Sequence, residues 1–226
     1  MRFGNREFFR ETVRIGLPIA IQGLLTSSLS FIDSLMIGSI GQQALAAVGA
    51  AGQFGNLLFG FYWGLCCGGS VFIAQYHGVN DEDGIRRAYG LTTVCMMVVA
   101  LVFGVLATGM PEWVMTIYSD DAGVRELGVK YLRIVGVAYL FQTFSMALST
   151  VLSSTERVKL PLVASIASIC TNTGLNWLLI YGNLGAPTLG VEGAAIASVA
   201  AAVVNTLVLL GVCIAQRNLA VTHIRR

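Results

Sequence analysis

The stretch IGLPIAIQGLLTSSLSFIDSLMIG, residues 15–38, decides the fold class. It is long enough to cross a hydrocarbon core of about 30 Å as a helix, which takes about 20 apolar residues. Its one ionisable side chain is Asp33. The polar members are ordered: Gln22, Thr26, Ser30 and Asp33 follow steps of four, four and three, the spacing that puts side chains on one helical face. Lipid supplies no hydrogen-bond partners, so such a stripe points toward other protein or a wet cavity.

Working outward, five further stretches meet the same length requirement, and the predicted helices run over about 14–38, 46–76, 88–110, 123–153, 159–181 and 190–216. The fold class is therefore an all-α membrane protein with six transmembrane helices. Residues 1–13 are read as an amino-terminal segment and 217–226 as a basic tail. The composition agrees, because only 12% of the 226 residues are charged, against about 25% in soluble domains. Mean hydropathy is +0.74. No small-residue cleavage site follows the first apolar stretch, so it is expected to be an uncleaved helix. A net charge of +2 gives no reason to expect a nucleic-acid partner.

The placement of basic residues sets the expected orientation. Arg2, Arg6, Arg10, Arg14, Arg86, Arg87, Arg157, Lys159, Arg217, Arg225 and Arg226 fall on one side of the predicted spans, and Arg125, Lys130 and Arg133 lie near the other. Lys and Arg are retained on the cytoplasmic side, so a multi-pass protein of the plasma membrane with both termini cytoplasmic is expected. Loops 39–45, 110–122 and 182–191 then lie outside. The five cysteines sit in apolar segments at spacings that fit neither a disulfide framework nor a zinc site, and are expected to be small buried side chains.

Polar stripes recur. Gln53, Asn56 and Gly60 share a face of the second helix, Gln142, Ser145, Ser149 and Ser153 one of the fourth, and Ser165, Ser168, Asn172 and Asn176 one of the fifth. Gln22, Thr26, Gln53, Asn56 and Gln142 are assigned to the wall of a substrate cavity. Gly60, Gly64 and Gly68, and separately Ala194, Ser198 and Ala202, form small-residue ridges suited to close helix packing.

Asp33 stands apart, because no Lys or Arg shares its apolar neighbourhood. An ionised Asp at mid-helix costs about 3 kcal/mol on the insertion scale, so it needs a proton, a metal cation or water. With about 1.5 Å of rise per residue, Asp33, Tyr131, Asn172, Asn176 and Ser198 all lie roughly 7 to 14 Å below the outer surface, although four helices contribute them. One carboxylate with amide and hydroxyl oxygens at one depth can hold a proton or a small cation such as sodium. No cofactor and no metal other than that sodium is expected.

The residues also resemble a known family. Leu17-Pro18 with Gln22, the run Phe31 to Gly38 containing Asp33, Ala46 to Gly49, Tyr76-His77-Gly78, Tyr131 to Ile134 and Gly190 to Ser198 together resemble, in order, the multidrug and toxic compound extrusion (MATE) family. The resemblance implies a cation-coupled antiporter that exports drugs and other amphipathic organic compounds by alternating access of two six-helix lobes, this chain matching the amino-terminal one. It implies that Asp33, Tyr131, Asn172, Asn176 and Ser198 form the cation site, with proton or sodium as coupling ion. Some relatives carry Asp where this chain has Asn176 and Thr where it has Ser198. Pro18 matches a proline tied in the family to bending of the first helix, and a proline inside a helix does free a carbonyl and permit a kink.

Family members have twelve helices, so the expected partners are lipid, a small-molecule drug and a second six-helix lobe, whether the missing carboxy-terminal half or another chain. Substrate sites of such transporters lie at the interface of the repeats. An enzyme is not expected, as neither an HExxH-type metal pair nor a serine with a matching buried His is present. The alternatives are a lipid or oligosaccharide flippase-type lobe, which would want a cationic groove, and a non-transporting membrane assembly subunit.

Overall fold

The computed structural model describes residues 6–215. The basic tail expected over 217–226, the last residue of the sixth predicted span and residues 1–5 lie outside them. The chain forms α1 (Arg6–Gly38), α2 (Gln42–Gly78), α3 (Glu82–Gly109), α4 (Pro111–Tyr118), α5 (Ala122–Ser154), α6 (Lys159–Tyr181) and α7 (Val191–Ala215), with a short 3-10 turn at Asn183–Gly185 before α7. Six of these helices are long and apolar enough to cross a membrane, α4 being the exception.

Several boundaries differ from the sequence reading, with α2 and α3 starting at Gln42 and Glu82 instead of at about 46 and 88. The first helix starts at Arg6, so residues 6–13 continue it instead of preceding it. The loop expected over 110–122 contains α4, which begins with Pro111 in its first turn, where the missing N–H costs nothing. Val114 and Met115 of α4 are fully buried, and burial of that face holds a helix too short to persist alone.

The turns are fixed by local chemistry. The Asp81 carboxylate accepts from the Gly84 N–H at 2.9 Å and so caps α3, and Asp121 accepts from Val124 N–H at 3.0 Å to cap α5. Gly182 closes α6 in the left-handed conformation, φ 68°, where an added Cβ would also lie 2.9 Å from the Ala186 carbonyl oxygen.

The core is built from α2, α3, α5 and α7, with Leu58, Met96, Leu132, Leu148, Leu209 and Cys213 all buried at its centre. Backbones approach closely where α3 crosses α5: a Cβ on Gly136 would lie 2.8 Å from the side chains of Ala107 and Thr108, and one on Gly104 would lie 3.3 Å from the Gly136 carbonyl oxygen; α7 meets α6 closer still, since a Cβ on Gly193 would lie 2.9 Å from the Leu179 carbonyl. Small residues let helices approach this closely in a membrane protein, where dispersion rather than water drives association. The Gly60, Gly64 and Gly68 ridge behaves otherwise, since nothing lies within 4 Å of a Cβ built on any of the three. Ala194 and Ala202 of the second ridge are buried as expected. Cys66 and Cys213 are buried, whereas Cys67, Cys95 and Cys170 are exposed on the apolar outer surface.

α1 is the outlying helix. It lies chiefly along α6, touches α2 and α7 far less, and leaves Leu24, Phe31 and Leu35 exposed. α6 in turn packs on α7, and α7 on α5. This order leaves an opening between α1 and α2, and the site described next lies in it.

Candidate functional site

The opening is a cleft of about 370 Å³ walled by residues of α1, α2, α5, α6 and α7. Asp33 and Asn176 line it from α1 and α6, Gln53 and Asn56 from α2, Tyr131 from α5 and Ser198 from α7. No Lys or Arg lines it. Among the described residues no group of three or more His, Cys, Asp or Glu is placed to hold a metal ion.

Asp33 is half-buried, and its one hydrogen bond among the described residues comes from Asn176, whose Nδ2 donates to Oδ1 at 2.7 Å. The same Nδ2 donates to Asn172 Oδ1 at 3.0 Å, one turn earlier on α6. Both asparagines are nearly fully buried, at 1% and 3% exposure for Asn176 and Asn172. Asn176 Oδ1 has no hydrogen-bond partner among the described residues, and the same holds for Asn205 Oδ1 on α7. Tyr131 and Ser198 line the same cleft as Asp33. Ser198 Oγ donates to the Ala194 carbonyl of its own helix at 3.0 Å, leaving its lone pairs to the cleft.

The five residues that shared a depth in the sequence are thus neighbours in space, with Asn172 behind Asn176 instead of on the wall. The cavity stripes divide. Gln53 and Asn56 face the cleft, but Gln22 is turned onto α6, where its Nε2 donates to Ser165 Oγ at 3.0 Å. Thr26 returns its hydroxyl to the Gln22 carbonyl at 2.9 Å, and neither it nor the exposed Gln142 belongs to the cleft wall. Pro18 lies inside α1, which continues through it as one helix.

Sequence reasoning missed part of the wall. Ser34 lines the cleft beside Ser30, and Gly49 and Gly52 make the facing side of α2 thin. The signal was present, since Gly49, Gly52 or Gln53 and Asn56 recur at helical spacing. A separate buried group was also overlooked: the Thr143 hydroxyl donates to the Tyr139 carbonyl at 2.6 Å and shares a hydrogen bond with the Tyr62 hydroxyl, tying α2 to α5 inside the core.

The arrangement offers one acid with a single fixed donor, flanked by a phenol, a hydroxyl and an orphaned amide oxygen. Those are hard oxygen ligands of the sort a small cation takes, or a set that can exchange hydrogen bonds with a protonated carboxyl.

The MatE family model matches residues 18–178. The chain is 29% identical over 206 residues to the "Probable multidrug resistance protein NorM" of Rhizobium meliloti (strain 1021), covering 90% of this chain and 43% of that protein. It is 27% identical over 195 residues to the "Probable multidrug resistance protein YoeA" of Bacillus subtilis (strain 168), covering 86% and 42%. The fold is shared with the "MATE multidrug transporter DinF-BH in complex with R6G", at TM-score 0.84 and 19% identity over 92% of this chain and 46% of that one. The "MATE in the bent conformation" matches at TM-score 0.81 and 20% identity, with the same coverage. The chain spans less than half the length of these relatives. Its six membrane helices therefore form one lobe of their fold, and the chain belongs to the MatE family of membrane transporters.

Proposed function

We propose that this chain is the amino-terminal half of a cation-coupled antiporter that exports drugs and other amphipathic organic compounds by alternating access. Asp33 carries the coupling ion, proton or sodium. Asn176 holds the empty carboxylate, Asn172 holds Asn176, and Tyr131 and Ser198 supply the remaining oxygens. The observation that carries the reading is the Asn176 to Asp33 hydrogen bond of 2.7 Å in a cleft with no Lys or Arg on its wall. A half-buried carboxylate without a fixed cation has to be compensated by a mobile positive species or by water.

The two states of Asp33 make different demands on its neighbours. Charged, it needs donors and draws the Asn176 amide toward it. Neutralised by an ion, it no longer competes for that amide, and the contact between α1 and α6 weakens. Ion loading is thereby linked to the seating of α1, and Pro18 supplies the position at which α1 can bend. Gln53 and Asn56 face the same opening from α2 and are placed to meet substrate. Gln22, Thr26 and Gln142 act in the substrate pathway only if α1 or the facing lobe moves.

The pathway itself needs a second six-helix lobe, because substrate sites in this class lie between repeats. The bias of Lys and Arg supports a plasma-membrane protein with both ends of the lobe cytoplasmic. The absence of Lys and Arg from the cleft wall disfavours a flippase for anionic headgroups.

The test is export of a fluorescent cationic dye from cells or vesicles carrying the assembled two-lobe transporter. Asp33→Asn is expected to abolish export driven by either a proton or a sodium gradient while leaving the protein in the membrane. Undiminished export by Asp33→Asn would overturn the reading.

A further inference from the structure

A second cleft, of about 550 Å³, lies between α4 and the first turns of α5, at the end of the bundle away from the α2–α3 turn. Its wall carries Arg125, Lys130 and Arg133 together with Glu112 and Glu126. Glu126 is taken by Lys130 at 2.9 Å. Arg125 and Arg133 form no ion pair among the described residues, so the cleft presents two free guanidinium groups against one free carboxylate.

Both arginines belong to a membrane-spanning helix. Arg133 lies about 16 Å along α5 from Ala122, on an exposed face that continues as Val137 and Phe141. An arginine above an apolar track is unfavourable in hydrocarbon unless its head reaches the phosphate layer. On the neighbouring α4, Trp113 and Ile117 are 54% and 61% exposed while Val114 and Met115 are buried, so this short helix shows apolar side chains to the surroundings as well as to the core. An exposed Trp at the end of a bundle is the side chain that anchors at the lipid interface. A free anion would explain the guanidinium groups but not the Trp113 and Ile117 surface or the apolar ridge below Arg133.

We propose that the α4–α5 cleft binds the phosphodiester headgroup of an anionic phospholipid, with Arg125 and Arg133 on the phosphate and the acyl chains along Val137 and Phe141. Arginine suits the role because its planar fork can pair two phosphate oxygens. The site is separate from the Asp33 cleft and does not depend on the transport reading.

The test is native mass spectrometry of the purified full chain, titrated with phosphatidylglycerol or with phosphatidylcholine of identical acyl chains, and with inorganic phosphate as competitor. The expected result is a preference of about tenfold for phosphatidylglycerol, as charge-assisted contacts would give. Arg125→Gln with Arg133→Gln removes the preference, and Arg157→Gln, exposed in the turn between α5 and α6, keeps it. Equal binding of the two lipids, or a preference undiminished in the double variant, overturns the proposal. Displacement of the lipid by inorganic phosphate would reassign the cleft to free anions and also overturn it. If the double variant does not fold, the two single variants carry the test, and no loss of preference in either defeats it.

Discussion

Asn176 donates to Asp33 across the α1–α6 contact at 2.7 Å, using the same amide nitrogen that holds Asn172 at 3.0 Å. One amide therefore serves two acceptors, and its own oxygen is left buried without a protein partner among the described residues. Removing it strands two acceptors at once.

A double-mutant cycle tests that relationship. Asp33→Ala and Asn176→Ala are expected to couple by about 1.5 to 3 kcal/mol, the range for a hydrogen bond to a charged group. Reversible unfolding in mixed micelles provides the measurement, and additivity of the two substitutions would show that the contact carries no energy. Asn176→Ala alone is expected to be worse for stability than Asp33→Ala, because it leaves a half-buried carboxylate without its donor.

The cleft wall makes a second distinction. Gln53→Ala and Asn56→Ala should change the KM for exported dye by about tenfold or less, the scale of one lost polar contact, in the assembled transporter. Thr26→Ala, whose hydroxyl serves its own helix at 2.9 Å, should leave the KM unchanged. A larger effect at Thr26 than at Gln53 would put the substrate path elsewhere.

Glycines of similar appearance should behave oppositely. Gly136→Ala drives a methyl group to within 2.8 Å of Ala107 and Thr108 and is expected to destabilise the lobe by about 1 to 3 kcal/mol. Gly68→Ala meets open space and should be neutral or stabilising by up to about 1 kcal/mol through helix propensity. Thermal unfolding of the two purified variants decides the matter, and equal destabilisation would contradict the α3–α5 crossing.

The start of α5 offers a local check. Asp121→Ala removes the cap on Val124 N–H and is expected to cost about 1 kcal/mol, with Asp121→Asn or Asp121→Ser retaining most of the stability. Amide exchange at Val124 should rise in the alanine variant alone.

The fold was legible because apolar length is a direct requirement of the bilayer, and each of the six spans met it. α4 was not, since eight residues with two apolar faces resemble a loop until Val114 and Met115 are seen to be buried. The candidate site was legible in one dimension. Rise per residue is constant, so Asp33, Asn176, Tyr131 and Ser198 could be set at one depth. Lateral position is another matter. The stripe Gln22, Thr26, Ser30 and Asp33 gives a direction around α1, but only the packing of α1 on α6 decides that Gln22 meets Ser165 while Asp33 reaches the cleft. The glycine ridge of α2 failed for the same reason, because a capacity for close approach does not supply a neighbour.

α1 is joined to α6 by side chains at three heights: Gln22 to Ser165, Asp33 to Asn176, and Ser39 to Tyr181 at 2.9 Å just past the helix end. With much of its apolar surface turned away from the bundle, this helix is moored at separate points, and Ile37, buried against Ile180 and Val191, is its apolar anchor near the end. Of the three, only the middle mooring carries a carboxylate, so under the proposed coupling it is the one expected to answer to charge, and release at separate points asks less than detachment all at once.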